Sequence, residues 1–451
     1  MPFQSMRSNL QLASVALATI APIFATGCAA NFSSVAAPQP QKGVALHGLV
    51  HGGQQPVSQS AIHLYAAGTN YVTGSGGYTG TNKDLLYSAV LTDGGGSFNI
   101  TGDYSCTAGQ QIYIVAVGGY PAGINNPSNP NITLVAALGD CSTLSSTTDI
   151  TINEITTVAA AYALAPFMTS YASAGTSPAN ASGLTRAFIN AAKLANTVTG
   201  TPGGPALAAG ATAPLAQIDM LANVLAACVN SAGGSAGDQS TCGNLFQFTT
   251  PASGSAPADT LTAAINIAHY PTVNVTKLFN IAVPSSPFPT LLPEPPTDWT
   301  LAISYATPGL NRPKTTTIDA TGNIWIANSG NNTLTVLGQT GAPVTNSPFT
   351  SNGLNAPSAI AIDSTGYAWI ANQGSATVSA FTVSGSAVNG SPFGGTGTIN
   401  AAMSIAIDAP GNIWVANSGS SSLTELHPDG TFYQQVSTGQ VTPTSLAINP
   451  K

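Results

Sequence analysis

Ile318-Asp319-Ala320-Thr321-Gly322-Asn323-Ile324-Trp325-Ile326-Ala327-Asn328-Ser329-Gly330 decides how the C-terminal third of this 451-residue chain is read, because the phrase occurs three times. The second copy is Ile362-Asp363-Ser364-Thr365-Gly366-Tyr367-Ala368-Trp369-Ile370-Ala371-Asn372-Gln373-Gly374, and the third runs from Ile407-Asp408-Ala409-Pro410-Gly411 through Trp414 to Asn417-Ser418-Gly419. Successive aspartates stand 44 and then 45 residues apart, and so do the tryptophans. A period of roughly 40–50 residues carrying several short strands is the mark of blade-like repeats set around an axis. Ile-Asp-x-x-Gly predicts a tight hairpin in which the Asp side chain caps the turn and Gly accepts a positive φ. Ile-Trp-Ile-Ala-Asn predicts the next strand, Leu334-Thr335-Val336-Leu337 a third, and the Ser-Pro-Phe at 347–349 and 391–393 a looser fourth.

A ring of carboxylates suits a cation and a ring of indoles suits a sugar, so the repeated residues invite a binding role. Their repetition argues against one, since a residue that every repeat needs serves the repeat. Asp319, Trp325, Asn328, Asp363, Trp369, Asn372, Asp408, Trp414 and Asn417 are therefore read as structural, with no catalytic or metal-ligating role. The non-repeating loop residues Arg312, Lys314, Tyr367, His427 and Tyr433 are too scattered to define a site.

The repeat unit resembles the blades of NHL-type and streptogramin-lyase-type β-propellers. That resemblance implies a propeller and, for the lyases, a metal held by His and Glu. The single His427 and single Glu425 of the repeat region, on one blade, depart from that pattern. The count is incomplete as well. Val441 to Asn449 reads as the first strand of a fourth blade, and Trp299 to Tyr305 as an outer strand ahead of the first. Closed propellers take about four to eight blades, so three alternatives stand: an array shortened relative to its relatives, closure by self-association of chains, or an open array. The first is preferred.

Upstream the chain divides into blocks. Arg7, the apolar stretch Leu10–Phe24 and the Ala25-Thr26-Gly27-Cys28 sequence predict a signal peptide over 1–27 with a lipobox, hence lipidation at Cys28. About 15 apolar residues fall short of the ~20 needed to span a bilayer. Residues 28–42, rich in Ala, Ser, Pro and Gln, predict a flexible tether. The remaining four cysteines form two sets within predicted domains, Cys106 with Cys141 and Cys228 with Cys242, and in an oxidising compartment each set predicts a disulfide. No Cys-x-x-Cys or nearby His pair accompanies them, so a metal is not expected there.

Period-two alternation over 43–150 predicts an antiparallel β-sandwich, with strands at Val44–Val50, Ala61–Tyr65, Ser97–Ile100 and Gln111–Val117. The order of strands and turns, including Thr92-Asp93-Gly94-Gly95-Gly96-Ser97-Phe98, resembles the transthyretin-like, carboxypeptidase-regulatory-like module, which implies a spacer or binding platform. Its insertion at 66–84 is the expected contact surface, and His47, His51 and His63 are read as surface residues. From Asn153 the period becomes helical, predicting a small α-helical domain over 151–283 with helices at Leu184–Thr197, Pro214–Val229, Ala258–Ala268 and Val275–Ala282. Its few ionisable residues, among them Glu154 and Asp219, show no catalytic spacing. Six prolines between Pro284 and Pro296 predict a stiff linker over 284–297, with the repeats at 298–451. The fold class expected is multidomain α+β: β-sandwich, helical domain, then a partial β-propeller of three blades and single strands.

Only 6% of residues are charged, and nine Lys and Arg against a net charge of −7 cannot build a phosphate-binding stripe, so nucleic acid is not an expected partner. No nucleophile elbow or phosphate-cradling Gly loop is present. The expectation is an exported, lipid-anchored protein of the outer membrane or cell surface, otherwise periplasmic or secreted. It would act without cofactor as a non-enzymatic binding or scaffold module for an extracellular ligand, polysaccharide or protein. It would touch the membrane through its lipid alone. The alternative is a metal-dependent propeller lyase.

Overall fold

The computed structural model describes residues 39–69, 82–282, 287–306, 309–394, 397–439 and 442–449. The signal peptide, Cys28, most of the tether and residues 70–81 of the insertion lie outside the described residues. None of the described helices is long and apolar enough to cross a membrane.

The N-terminal strands are β1 (Pro40–Lys42), β2 (Leu46–Gly52), β3 (Gln55–Ser58), β4 (Ala61–Ala66), β5 (Lys83–Asp84), β6 (Val90–Leu91), β7 (Ser97–Ile100), β8 (Ser105–Thr107), β9 (Gln111–Val117), β10 (Tyr120–Pro121), β11 (Thr133–Asp140) and β12 (Asp149–Ile152). One sheet runs β10-β3-β2-β12 with β7 also on β2; the other runs β11-β9-β4-β5 with β6 on β4. Pairing is antiparallel except for β12, which lies parallel to β2. Alternation in β2 sends Leu46 and Val50 inward, where they meet Ile62, Leu64, Ile112 and Ile114 of the second sheet. Each such side chain contributes about 1.5–3 kcal/mol by leaving water. The Cys106–Cys141 disulfide ties β8 to the end of β11.

Strand β9 is buried on both faces, the mark of a strand covered on each side. What covers its outer face is helical: α1 (Glu154–Leu164), α2 (Ala181–Leu194), α3 (Leu215–Val229), α4 (Thr241–Phe248), α5 (Thr260–His269) and α6 (Val275–Ala282), six among the described residues. Asn153 caps α1 in a capping box with Thr156, a pairing that satisfies two orphan donors at once. Helix α4 is not anticipated by the sequence reading, since Gly243 and Asn244 weaken its pattern. Ser240 starts it by accepting from the Gly243 amide at 2.9 Å, and the Cys228–Cys242 disulfide holds it to α3.

The helical block is not built around a core of its own. Tyr65, Tyr113, Val115 and Val135 from the outer face of the second sheet share one apolar cluster with all six helices. Helix hydroxyls also finish the free edge of β11: Thr157 Oγ1 accepts from Val135 N at 2.9 Å, and Thr260 Oγ1 from Thr133 N at 3.0 Å. Such an edge would otherwise present unpaired backbone groups. The Pro-rich stretch differs from its reading as a spacer too. From residue 287 onward it lies on the helices, because Phe288 and Trp299 are buried in the same cluster. Asn223 bonds the Phe288 backbone in both directions at 3.0 Å, and Tyr162 donates its hydroxyl to Trp299 O at 2.8 Å.

Short pairs β13 (Met168–Ser170) with β14 (Ser173–Ala174), and β15 (Ala195–Asn196) with β16 (Thr201–Pro202), connect the helices; β17 (Ala211–Thr212) and β18 (Ser304–Tyr305) pair with each other. The repeats then form antiparallel sheets: β19 (Pro313–Ile318), β20 (Ile324–Asn328) and β21 (Thr333–Leu337); β22 (Pro357–Ile362), β23 (Ala368–Asn372) and β24 (Thr377–Phe381); and β25 (Ala402–Ile407), β26 (Ile413–Asn417), β27 (Ser422–Leu426) and β28 (Phe432–Ser437). In the first two, the fourth position is held by isolated bridges, Leu334 to Phe349 with Leu337 to Pro343, and Val378 to Phe393 with Phe381 to Ala387, where the third has the full strand β28. Consecutive sheets enclose equivalent cores. Trp325, Leu334 and Phe349 meet Ile360, Ile370 and Phe381; one repeat later Trp369, Val378 and Phe393 meet Ile405, Val415 and Leu426.

Two single-strand expectations change. Residues 442–449 form no strand; the Leu446 amide donates to Ser404 Oγ at 3.2 Å, beside β25. The segment ahead of the first repeat contributes only β18, and its partner β17 comes from the helical block. Tyr305 stands 44 residues before Phe349, which stands 44 before Phe393. All three rings press on a glycine of the following repeat, Gly341, Gly385 and Gly430, so closely that any side chain there would collide with the ring. The segment that joins the helical block to the repeats thus meets the first repeat as one repeat meets the next.

Candidate functional site

The structure places the nine repeated residues in three copies of one network. Each Asp carboxylate accepts the indole N–H of its own Trp: Trp325 to Asp319 at 2.9 Å, Trp369 to Asp363 at 2.8 Å and Trp414 to Asp408 at 3.0 Å. The other oxygen accepts the amide four residues on, from Asn323, Tyr367 and Asn412. A further amide, two residues on, reaches Asp319 and Asp363; Pro410 has none to give Asp408. Burial acts to raise the Asp319 pKa, but the bonds from Trp325, Thr321 and Asn323 outweigh it and hold the carboxyl below its usual range. Asp408 follows the same balance through Trp414 and Asn412. Asn328, Asn372 and Asn417 are fully buried, and each side chain accepts one backbone amide and donates to two hydroxyls.

The non-repeating residues do not converge. Arg312 and Lys314 are exposed beside β19, Tyr367 lies at a hairpin tip, and His427 packs on Tyr433 with ring centroids 4.7 Å apart. Glu425 is buried and accepts from Gln434 at 2.6 Å, whereas His427 is exposed. In the N-terminal sheets His47 meets Asp149 at 3.1 Å and His63 meets Asp84 at 2.9 Å. No three metal-binding side chains come together among the described residues.

Two clefts lie elsewhere, around the β2–β3 hairpin tip. A cleft of ≈ 530 Å³ on one side of Gln54 is lined by Gln55, Asn126, Asn230 and Pro287 among others. A second of ≈ 510 Å³ on its other side is lined by His51, Asn153, Thr199, Asp219 and Pro289 among others. The tip is pinned from below, where Gly53 N donates to both oxygens of Glu154 at 2.9 and 3.0 Å. Glu154 is wholly buried, and burial pushes its carboxyl up to about 8 against the bonds from Gly53 and its own amide. Asp219 is 2% exposed; its Oδ2 accepts from Thr290 N at 3.2 Å, while Oδ1 is buried without a partner among the described residues. Burial raises the Asp219 pKa and lowers that of His51.

No family model and no curated protein matches the sequence. Several solved structures resemble part of it. Virginiamycin B lyase from Staphylococcus aureus aligns at 15% identity over 29% of this chain and 42% of its own, with a TM-score of 0.26. A streptogramin B lyase aligns at 17% over 31% and 45%, with a TM-score of 0.28, and hydrazine synthase of Kuenenia stuttgartiensis at 17% over 32% and 40%, with 0.27. The chain spans less than half the length of each. At these scores the likeness says nothing of activity.

Sequence spacing could not reveal the groove, because Gly53, Glu154, Asp219 and Thr290 come from four separate segments. One signal was available: Glu154 at the first turn of an otherwise apolar helix, in a chain with few carboxylates.

Proposed function

We propose that the protein is an exported, lipid-anchored module of the cell envelope that binds or scaffolds an extracellular partner without chemistry of its own. In this reading Cys28 carries the lipid, the paired sheets are a transthyretin-like sandwich, and the repeats are NHL-type propeller blades whose faces, with the sandwich loops, meet the ligand or further copies of the chain. One observation supports it above others: the carboxylates and indoles that recur in every repeat are hydrogen-bonded to one another, so what remains outward is hydroxyl, amide and scattered apolar surface, including Phe432, Tyr433 and Val436. Committed Glu425 and exposed His427 offer little to the lyase alternative.

The test has two arms. Mass spectrometry of the membrane fraction should find a mature N-terminus at modified Cys28; an unmodified start elsewhere removes the anchor from the proposal. Purified residues 29–451 should bind a component of a polysaccharide and envelope-extract screen, with a size measurement in solution reporting association. Metal-dependent turnover of a bound substrate would overturn the non-enzymatic reading.

A further inference from the structure

We infer that the two clefts astride Gln54 form one binding groove for a neutral, polyhydroxylated ligand, an oligosaccharide chain, with Asp219 as its buried acceptor. The two spaces share Gln54, and the hairpin tip between them is rigid: Glu154 holds the Gly53 amide, and Gln54 Nε2 donates to Pro287 O at 3.2 Å. A preorganised wall lowers the ordering cost of binding.

The lining selects the chemistry. Of all the residues facing the two clefts, only His51 and Asp219 are ionisable. A strongly charged ligand would find no matching partners there. Part of the polar lining is committed within the protein, since Asn153 caps α1 and donates to Gly200 O and the Thr199 and Thr201 hydroxyls bond each other. The Gln55 amide and the side-chain oxygens of Gln54, Asn126 and Asn230, whose Nε2 or Nδ2 groups donate to backbone carbonyls, have no further partner among the described residues and can meet sugar hydroxyls. Five prolines, among them Pro121, Pro202 and Pro289, add flat apolar faces for the C–H faces of sugar rings. An extended peptide would dock by pairing with a free strand edge. Strand β2 has none to give, since β12, β7 and β3 already bond it, and the edge strands at the clefts, β10 and β16, are only two residues long.

Asp219 is the second, independent pointer. A carboxylate oxygen buried without a donor costs about 1–3 kcal/mol or more, and a ligand hydroxyl in the cleft that Asp219 lines would supply the missing bond. The Thr290 amide bonds the other oxygen, and the Thr290 hydroxyl beside the carboxylate also favours its charged form.

The inference rests on the binding reading, and the two fail separately, because the groove is titrated in purified protein whatever anchors it in the cell. Isothermal titration of residues 29–451 against cellopentaose, xylopentaose, mannopentaose and maltopentaose should give saturable binding to at least one. Asp219→Asn and Gln54→Ala should each weaken it about tenfold, roughly what one hydrogen bond is worth. Gln54 is exposed at the tip, so its variant keeps the fold even if Asp219→Asn does not. No binding of any pentasaccharide by the parent protein would overturn the assignment. Unchanged affinity in Gln54→Ala, or binding of a neutral decapeptide in their place, would do the same.

Discussion

Replacing Glu154 with Gln should reverse sign with pH. The folded protein keeps the Glu154 proton to about pH 8, while the unfolded chain releases it near the ordinary value of 4.5. Between these values the folded state binds the extra proton, so stability falls as pH rises. Below 4.5 both states are protonated and the group contributes no pH dependence; above 8 the loss is complete. At about 1.4 kcal/mol per pH unit, the full loss is on the order of 5 kcal/mol. Glutamine is neutral throughout and its Oε1 can still accept from Gly53 N, but its Nε2 brings two N–H groups with no evident partner where the protonated carboxyl brings one O–H, so the added cost is one unmet donor, about 1–3 kcal/mol. Glu154→Gln should therefore unfold at lower urea than the parent at pH 5 and at higher urea at pH 9, followed by far-UV circular dichroism. Other groups, His51 included, titrate in both proteins and largely cancel. A difference in midpoint that stays constant from pH 5 to pH 9 would show that Glu154 does not hold its proton as argued.

Asp363→Ala leaves the buried Trp369 indole and two turn amides without acceptors, and should cost about 2–4 kcal/mol in urea melts; Asp408→Ala, whose Trp414 is only half-buried, should cost less. Phe349→Ala opens the core between the first two repeats and should cost about 3–5 kcal/mol, more than Phe393→Ala, whose ring is less buried; equal melting shifts would contradict the burial argument. Replacing both Cys228 and Cys242 by Ala should lower stability by about 3 kcal/mol through the 14-residue separation they close, and reductant should then have a smaller effect on that variant than on the parent.

The repeats were legible because their constraints are local. An Asp that caps its own turn and bonds a Trp six residues away writes itself into one short phrase, three times over. Helix α1 was legible for the same reason, its start fixed by Asn153 and Thr156. What escaped is non-local. Thr157 and Thr260 look like ordinary helix residues until they meet the edge of β11, and nothing in the Pro-rich run discloses that Phe288 and Trp299 are buried under helices. The groove belongs to this second kind, since its lining is assembled from segments more than 200 residues apart, from Gln54 to Pro289. Sparse charge deepened the difficulty, because hydroxyl and amide linings leave no motif.

Tyr305 gives the joint between helices and repeats a wider meaning. The segment ahead of the first repeat, paired to the helical block through β17, presents the same ring-on-glycine contact that the first and second repeats present to their successors. Duplication or deletion of a whole 44- or 45-residue unit would keep that ring-on-glycine contact at each junction. The helices therefore act as a fixed origin and the repeats as graduations counted from it. The reach of the array is then a quantity that evolution, or an engineer, can adjust in whole steps without rebuilding either end of the connection.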